Sequence, residues 1–151
     1  MVAGQVSDIF SPEVPDLLVR HFEQLHAGSG LSVEVIRERG AHSALGKKQL
    51  ATLGFAPSQQ RPPGLVLPVH GPDDRNGLYS YKPDAPRVDR QGRELKYELP
   101  TGKGPRIDVP PRCQPHIGNS AIPLWITQGQ KKADALDHVL VGQDAVGDLY
   151  P

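Results

Sequence analysis

A glycine or proline falls at about every fifth position of this 151-residue chain, sixteen of each. Long helices and strands do not survive such punctuation, because glycine loosens the backbone and proline removes a hydrogen-bond donor. The chain is therefore expected to be loop-rich, with short elements, and to form one compact domain or two very small ones. At 37% hydrophobic residues it can still build a modest core.

Between the breaks, the first third reads as helical. Ser11-Pro12-Glu13 supplies an N-cap, a proline at the first helical position and an early acidic residue. Val14, Leu17, Leu18, Phe22 and Leu25 follow as one apolar stripe, ended by Gly28 and Gly30. Ser32 opens a second helix that buries Val33 and Ile36 and stops at Gly40. A third runs from about Lys47 to Leu53 and is closed by Gly54. Its only basic side chains are Lys47 and Lys48, too few for a helix-turn-helix reader of DNA.

The stretch Pro57–Pro63 marks a change of character. Gly64–His70 is an apolar run suited to a largely buried strand, with Pro68 placing it at an edge or bulge. Asp73–Gly77 is a turn, so Leu78–Tyr81 should return antiparallel. Leu95–Leu99 and Arg106–Val109 read as further short strands. Ile122–Thr127 resembles a buried strand, Gln128-Gly129 a tight turn, and Gln130–Leu136 a helix, the start of a βαβ crossover. Three regions follow: helical 1–56, β-rich and basic 57–112, and a β-turn-α segment 113–151.

Charge separates these regions. Seventeen basic and seventeen acidic residues cancel overall, yet residues 41–112 carry a net +5 between flanks of −3 and −2. An anionic partner is one consequence such asymmetry allows. Inside the basic region, Tyr79, Tyr81 and Lys82 are followed by Arg87, Arg90, Arg93, Lys96, Tyr97, Lys103 and Arg106, and further on by Arg112, Lys131 and Lys132. Aromatic rings that stack bases, interleaved with cations that neutralise phosphates, are how single strands are held without base readout. The competing reading makes the tyrosines half-buried strand residues and the cations turn decoration.

Other chemistry is thin. No G-x-x-x-x-G-K-[ST] phosphate loop occurs, and Thr101-Gly102-Lys103-Gly104 reads more readily as a hairpin loop than as a phosphate cradle. Cys113 and His116 form half a metal site with no second pair, and one cysteine rules out an internal disulfide. Asp134 and Asp137 share a helix face expected to be solvated. Cys113 has no helix start to lower its pKa, and Gly-x-Ser-x-Gly is absent. No apolar stretch approaches the roughly 18 residues of a membrane span. The opening MVAGQVSDIF lacks a signal pattern, so a soluble, cytoplasmic protein without a membrane partner is expected.

The series Pro123–Leu136 resembles the opening of a Toprim-like domain, where a strand delivers a Glu-Gly turn into a helix. More closely, the chain resembles the N-terminal part of a domain-of-unknown-function family from phage, plasmid and integrative-element proteins. That family is described as primase-like and is often joined to helicase or other replication modules. Leu53-Gly54-Phe55, Leu65–Val69, Tyr81–Arg87, Lys96–Pro100 and Ile107–Arg112 add to the similarity, which spans about residues 11–137. A complete relative is implied to use Mg2+. Here Gln128 stands where that family's catalytic Glu would be, and no Asp-x-Asp pair occurs, so no catalytic, cofactor or metal residues are carried over. Beyond Leu136 the resemblance ends, as in a truncated or frameshifted copy.

These readings together predict an α+β fold: N-terminal helices, a small antiparallel sheet and an incomplete Toprim-like unit. The leading function is a non-catalytic relative of a primase-like replication protein that binds single-stranded DNA or RNA weakly. One alternative is an interaction module docking through an open sheet edge near Ile122–Thr127. Another is a partial enzyme completed by a second chain.

Overall fold

The computed structural model describes residues 9–73 and 77–136. Helices α1 (Val19–Ser29), α2 (Val33–Arg39) and α3 (Lys47–Thr52) and strands β1 (His42–Ala44), β2 (Gly64–Val69) and β3 (Leu78–Pro83) form a mixed α+β fold. Short 3-10 turns cover Pro57–Gln59 and Pro111–His116, and residues 130–136 form a last helical segment, α4. The sheet is antiparallel in the order β1-β2-β3. No helix among the described residues is long and apolar enough to cross a membrane.

β2 organises the core because both of its faces are covered. Leu65 and Leu67 point to one side and join Leu17, Leu25, Leu31, Val35 and Ile36 from the first two helices and the loops beside them. Val66 points to the other side, into a second cluster with Ala44, Leu50, Phe55 and Tyr81. A strand covered twice is a continuous apolar run rather than an alternation, as GLVLPV is. The first cluster draws on residues from Val14 to Leu67, so it crosses the Pro57–Pro63 stretch.

Several expectations hold and several are corrected. α2 starts at Ser32, whose Oγ accepts from the Val35 N–H at 3.3 Å, and ends at Gly40. α1 ends as expected at Gly30, whose N–H donates to the His26 carbonyl and whose φ of +70° turns the chain so that the Leu31 N–H reaches the Leu25 carbonyl at 3.1 Å. However, α1 begins at Val19 rather than beside Ser11. Pro15 steers Val14 away from helical angles, and residues 9–19 instead close a loop through Ser11 N–H to Leu17 O and Val19 N–H to Ile9 O. Val14 and Leu17 are still buried, but from a loop.

β2 is the central strand, not an edge, yet Pro68 obeys the rule behind that expectation. β1 pairs only with Gly64–Val66, so Pro68 lies beyond its reach and withholds no ladder bond on that side. Leu95–Leu99 is not a strand: Glu98 exchanges two backbone bonds with Tyr81 (2.8 and 2.9 Å), and the next position on that edge is Pro100, which has no N–H. Arg106–Val109 contributes one bond, Val109 N–H to His70 O at 2.7 Å, and no ladder. Ile122–Thr127 is neither strand nor buried. Leu124, Trp125 and Ile126 are 81%, 67% and 89% exposed, because the sheet presents no partner strand there. The turn at Gly129 and the helix after it do form. Asp137 and the rest of the 113–151 region lie outside the described residues.

Candidate nucleic-acid interface

The structure divides the proposed binding residues into two groups. In the first, the side chain already has a structural partner. Tyr81 is fully buried, packs on the Phe55 ring (centroids 5.4 Å apart) and donates its hydroxyl to the Arg61 carbonyl at 2.6 Å, so it cannot stack a base. Lys82 Nζ donates to Gln24 Oε1 at 2.6 Å. Arg87 grips the buried Glu98 carboxylate through Nε and Nη2 (2.7–3.0 Å), which places its pKa above the ordinary arginine value. Arg93 pairs with Asp89 inside its own loop, and Arg112 pairs with Glu38 on α2.

The second group keeps its charge for solvent. Lys96, Lys103, Arg106 and Lys132 are exposed and have no carboxylate partner among the described residues. Tyr97, 43% exposed, lies under the ammonium of Lys131, whose Nζ is 5.8 Å from the ring centroid. Folding thus joins Lys96-Tyr97 to Lys131-Lys132, far apart in the chain. Lys103 and Arg106 lie on the exposed connection that follows Tyr97.

The expected elbow at Gln128-Gly129 lies just before α4. Gln128 is exposed, and the carboxylate six residues on, Asp134, is turned inward and buried. Among the described residues no group of His, Cys, Asp or Glu could hold a metal ion, and Cys113 and His116 gain no third ligand. These residues do not fit Mg2+.

Asp134 belongs to a buried polar cluster, where a solvated acidic face was expected. Arg39 is 1% exposed at the end of α2. Its Nε donates to Asp134 Oδ2 at 3.0 Å, its Nη2 to Asp134 Oδ1, and its Nη1 to Asp108 Oδ1 at 2.6 Å. Asp108 Oδ1 also accepts the His70 N–H at 2.9 Å, while Gln130 Nε2 donates to the Pro68 carbonyl at 2.9 Å. Burial works against the guanidinium charge, but Asp134 and then Asp108 outweigh it, and its pKa lies above the ordinary value. The signal for this cluster was in α2: Arg39 follows Val35 by four and Ile36 by three, on the face those residues bury.

A second missed feature joins α1, β1 and the residue after β3. Asp84, held by Arg20 at 2.8 Å, lies 2.8 Å from His21 Nε2, and His21 Nδ1 lies 2.6 Å from Ser43 Oγ. Nε2 therefore carries the proton given to Asp84, and Nδ1 accepts the serine hydroxyl. The connectivity is that of nucleophile, base and orienter. Ser43, however, is 5% exposed and its Oγ also accepts the Leu18 N–H at 2.8 Å, so the hydroxyl is committed to α1 and this chain pins the fold. Ser43 also borders a cleft of about 590 Å³ with Asp16, Arg37 and Gln49. Arg37 there is spent on the Glu13 carbonyl (2.6 and 3.0 Å).

The pin has a pH consequence. Burial pushes the His21 pKa below the ordinary 6.5, against the smaller opposing pull of Asp84. The unfolded chain then takes up a proton that the folded chain refuses, so this contribution to stability is whole above about pH 6.5 and is lost as the pH falls. Urea midpoints should drop between pH 7.5 and pH 5 in the parent, and the drop should be smaller in His21→Gln.

No protein-family model, curated protein or solved structure matches the chain.

Proposed function

We propose that the protein is a non-catalytic, sequence-independent binder of single-stranded nucleic acid, related to the primase-like replication proteins of mobile elements. The observation that carries this reading is the Lys131 ammonium over the exposed Tyr97 ring, with Lys96 and Lys132 as immediate neighbours. A base stacked on tyrosine contributes about 1–3 kcal/mol. Each cation adds its phosphate contact irrespective of sequence.

Anisotropy of a labelled mixed-sequence oligonucleotide across a salt series tests it. With about four phosphates engaged, log K should fall with log salt at a slope of about −3. Tyr97→Ala should cost about 1–3 kcal/mol of affinity with little change in slope, and Lys131→Ala should flatten the slope by about 0.7. Absent or salt-independent binding overturns the reading.

A second reading has its own observation. Three consecutive large apolar side chains, Leu124, Trp125 and Ile126, face solvent on an unpaired segment. Extended segments of this kind add to an open sheet edge of a protein partner. A partner that co-purifies with the parent and is lost in Trp125→Glu would favour docking over nucleic-acid binding.

A further inference from the structure

α4 carries two of the contacts described above on one short surface. Lys131 and Asp134, three residues apart, are neighbours on the helix, one over Tyr97 and the other in the grip of Arg39. Among the described residues, three further features bear on how this helix is seated. Gln130 reaches the Pro68 carbonyl, Ala135 packs against the first apolar cluster, and Leu124–Ile126 ahead of it stand in solvent. The place of Lys131 therefore depends on where Asp134 is held.

Arg39 meanwhile faces two carboxylates. Asp108 Oδ1 is satisfied, but Asp108 Oδ2 is the one buried side-chain polar atom without a hydrogen-bond partner among the described residues. A buried carboxylate oxygen left unpaired is costly. It is also a spare acceptor beside the guanidinium that Asp134 occupies.

Resting on the binding reading above, we propose that α4 is a latch and Arg39 the positioning residue that closes it. Closed, Asp134 takes the fork of Arg39, and Lys131 completes the patch over Tyr97. Open, the freed N–H groups of Arg39 turn to Asp108 Oδ2, so the guanidinium keeps a counter-charge while Lys131 leaves the ring. Asp108 keeps its bond to Nη1 in the closed state, so what the two carboxylates compete for is the rest of the fork, and the winner sets whether the single-strand site is complete.

Asp134→Asn and Asp108→Asn in the full chain test this with two readouts, hydrogen exchange of residues 130–136 and affinity for the labelled oligonucleotide. Asp134→Asn should raise exchange in 130–136 and lower affinity, each by about tenfold, while far-UV circular dichroism stays that of the parent. Asp108→Asn removes the competitor and keeps an oxygen for His70 and Arg39, so exchange in 130–136 should slow and affinity should hold or rise. Exchange unchanged in Asp134→Asn, or raised in Asp108→Asn, overturns the latch. Raised exchange with unaltered affinity overturns its coupling to binding. Failure of the parent to bind any oligonucleotide overturns the binding reading alone, since the exchange results still judge the latch. Should Asp134→Asn not fold, Asp108→Asn decides by itself.

Discussion

Arg39→Met is expected to cost about 3–5 kcal/mol of folding stability, the largest effect of any single substitution considered. Methionine replaces the buried aliphatic stem, so little of the loss comes from packing. What remains is two carboxylates, Asp108 and Asp134, shut away from water without their cation. For a domain with about 5–15 kcal/mol in hand, that removes about a fifth of the total at the least. The measurement is a urea titration in which the midpoint falls and the slope does not. The double variant Arg39→Met/Asp134→Leu should recover part of the loss, because an apolar replacement for a buried ion pair costs far less than half of one. A double variant as unstable as the single would show that the cluster acts by packing.

Gly64→Ala comes next, at about 3 kcal/mol. Gly64 opens β2 opposite Pro83, and a Cβ there would meet Tyr81 Cε2 at 2.5 Å, the Lys82 carbonyl at 2.6 Å and the Tyr81 hydroxyl at 2.7 Å. None of these can yield freely. The carbonyl belongs to the β2–β3 ladder, and the ring is fixed between Phe55 and its bond to Arg61. Gly104→Ala is the control: nothing lies within 4 Å of its added carbon, and its midpoint should stay within about 0.5 kcal/mol of the parent. Equal losses at both positions would refute the steric account.

Where local chemistry decides, the sequence was legible. Ser32 and Gly40 bracket α2 and Gly30 ends α1, because each rests on a cap the residue itself provides. β3 returns antiparallel to β2 as expected, while residues 74–76 of the expected Asp73–Gly77 turn lie outside the described residues. Elements decided by distant neighbours were not. β1 is three residues long and exists because β2 pairs with it. Ile122–Thr127 has strand composition and no strand beside it. The binding residues were decided by distant neighbours as well. Lys96 and Tyr97, expected in a strand over Leu95–Leu99, are exposed where that segment bridges Tyr81 only through Glu98, and the burial of Tyr81 follows from Phe55 and Val66 on other elements. Asp134 was misjudged because its partner, Arg39, sits 95 residues earlier.

The lone indole of the chain, at position 125, sits outside both apolar clusters and mostly in water. Its emission is therefore that of a solvated fluorophore in the native protein and changes little when the core melts. An optical assay built on it would be nearly blind to unfolding and would respond instead to whatever covers the segment around it. The same residue that makes a poor reporter of stability is thus a built-in label for association.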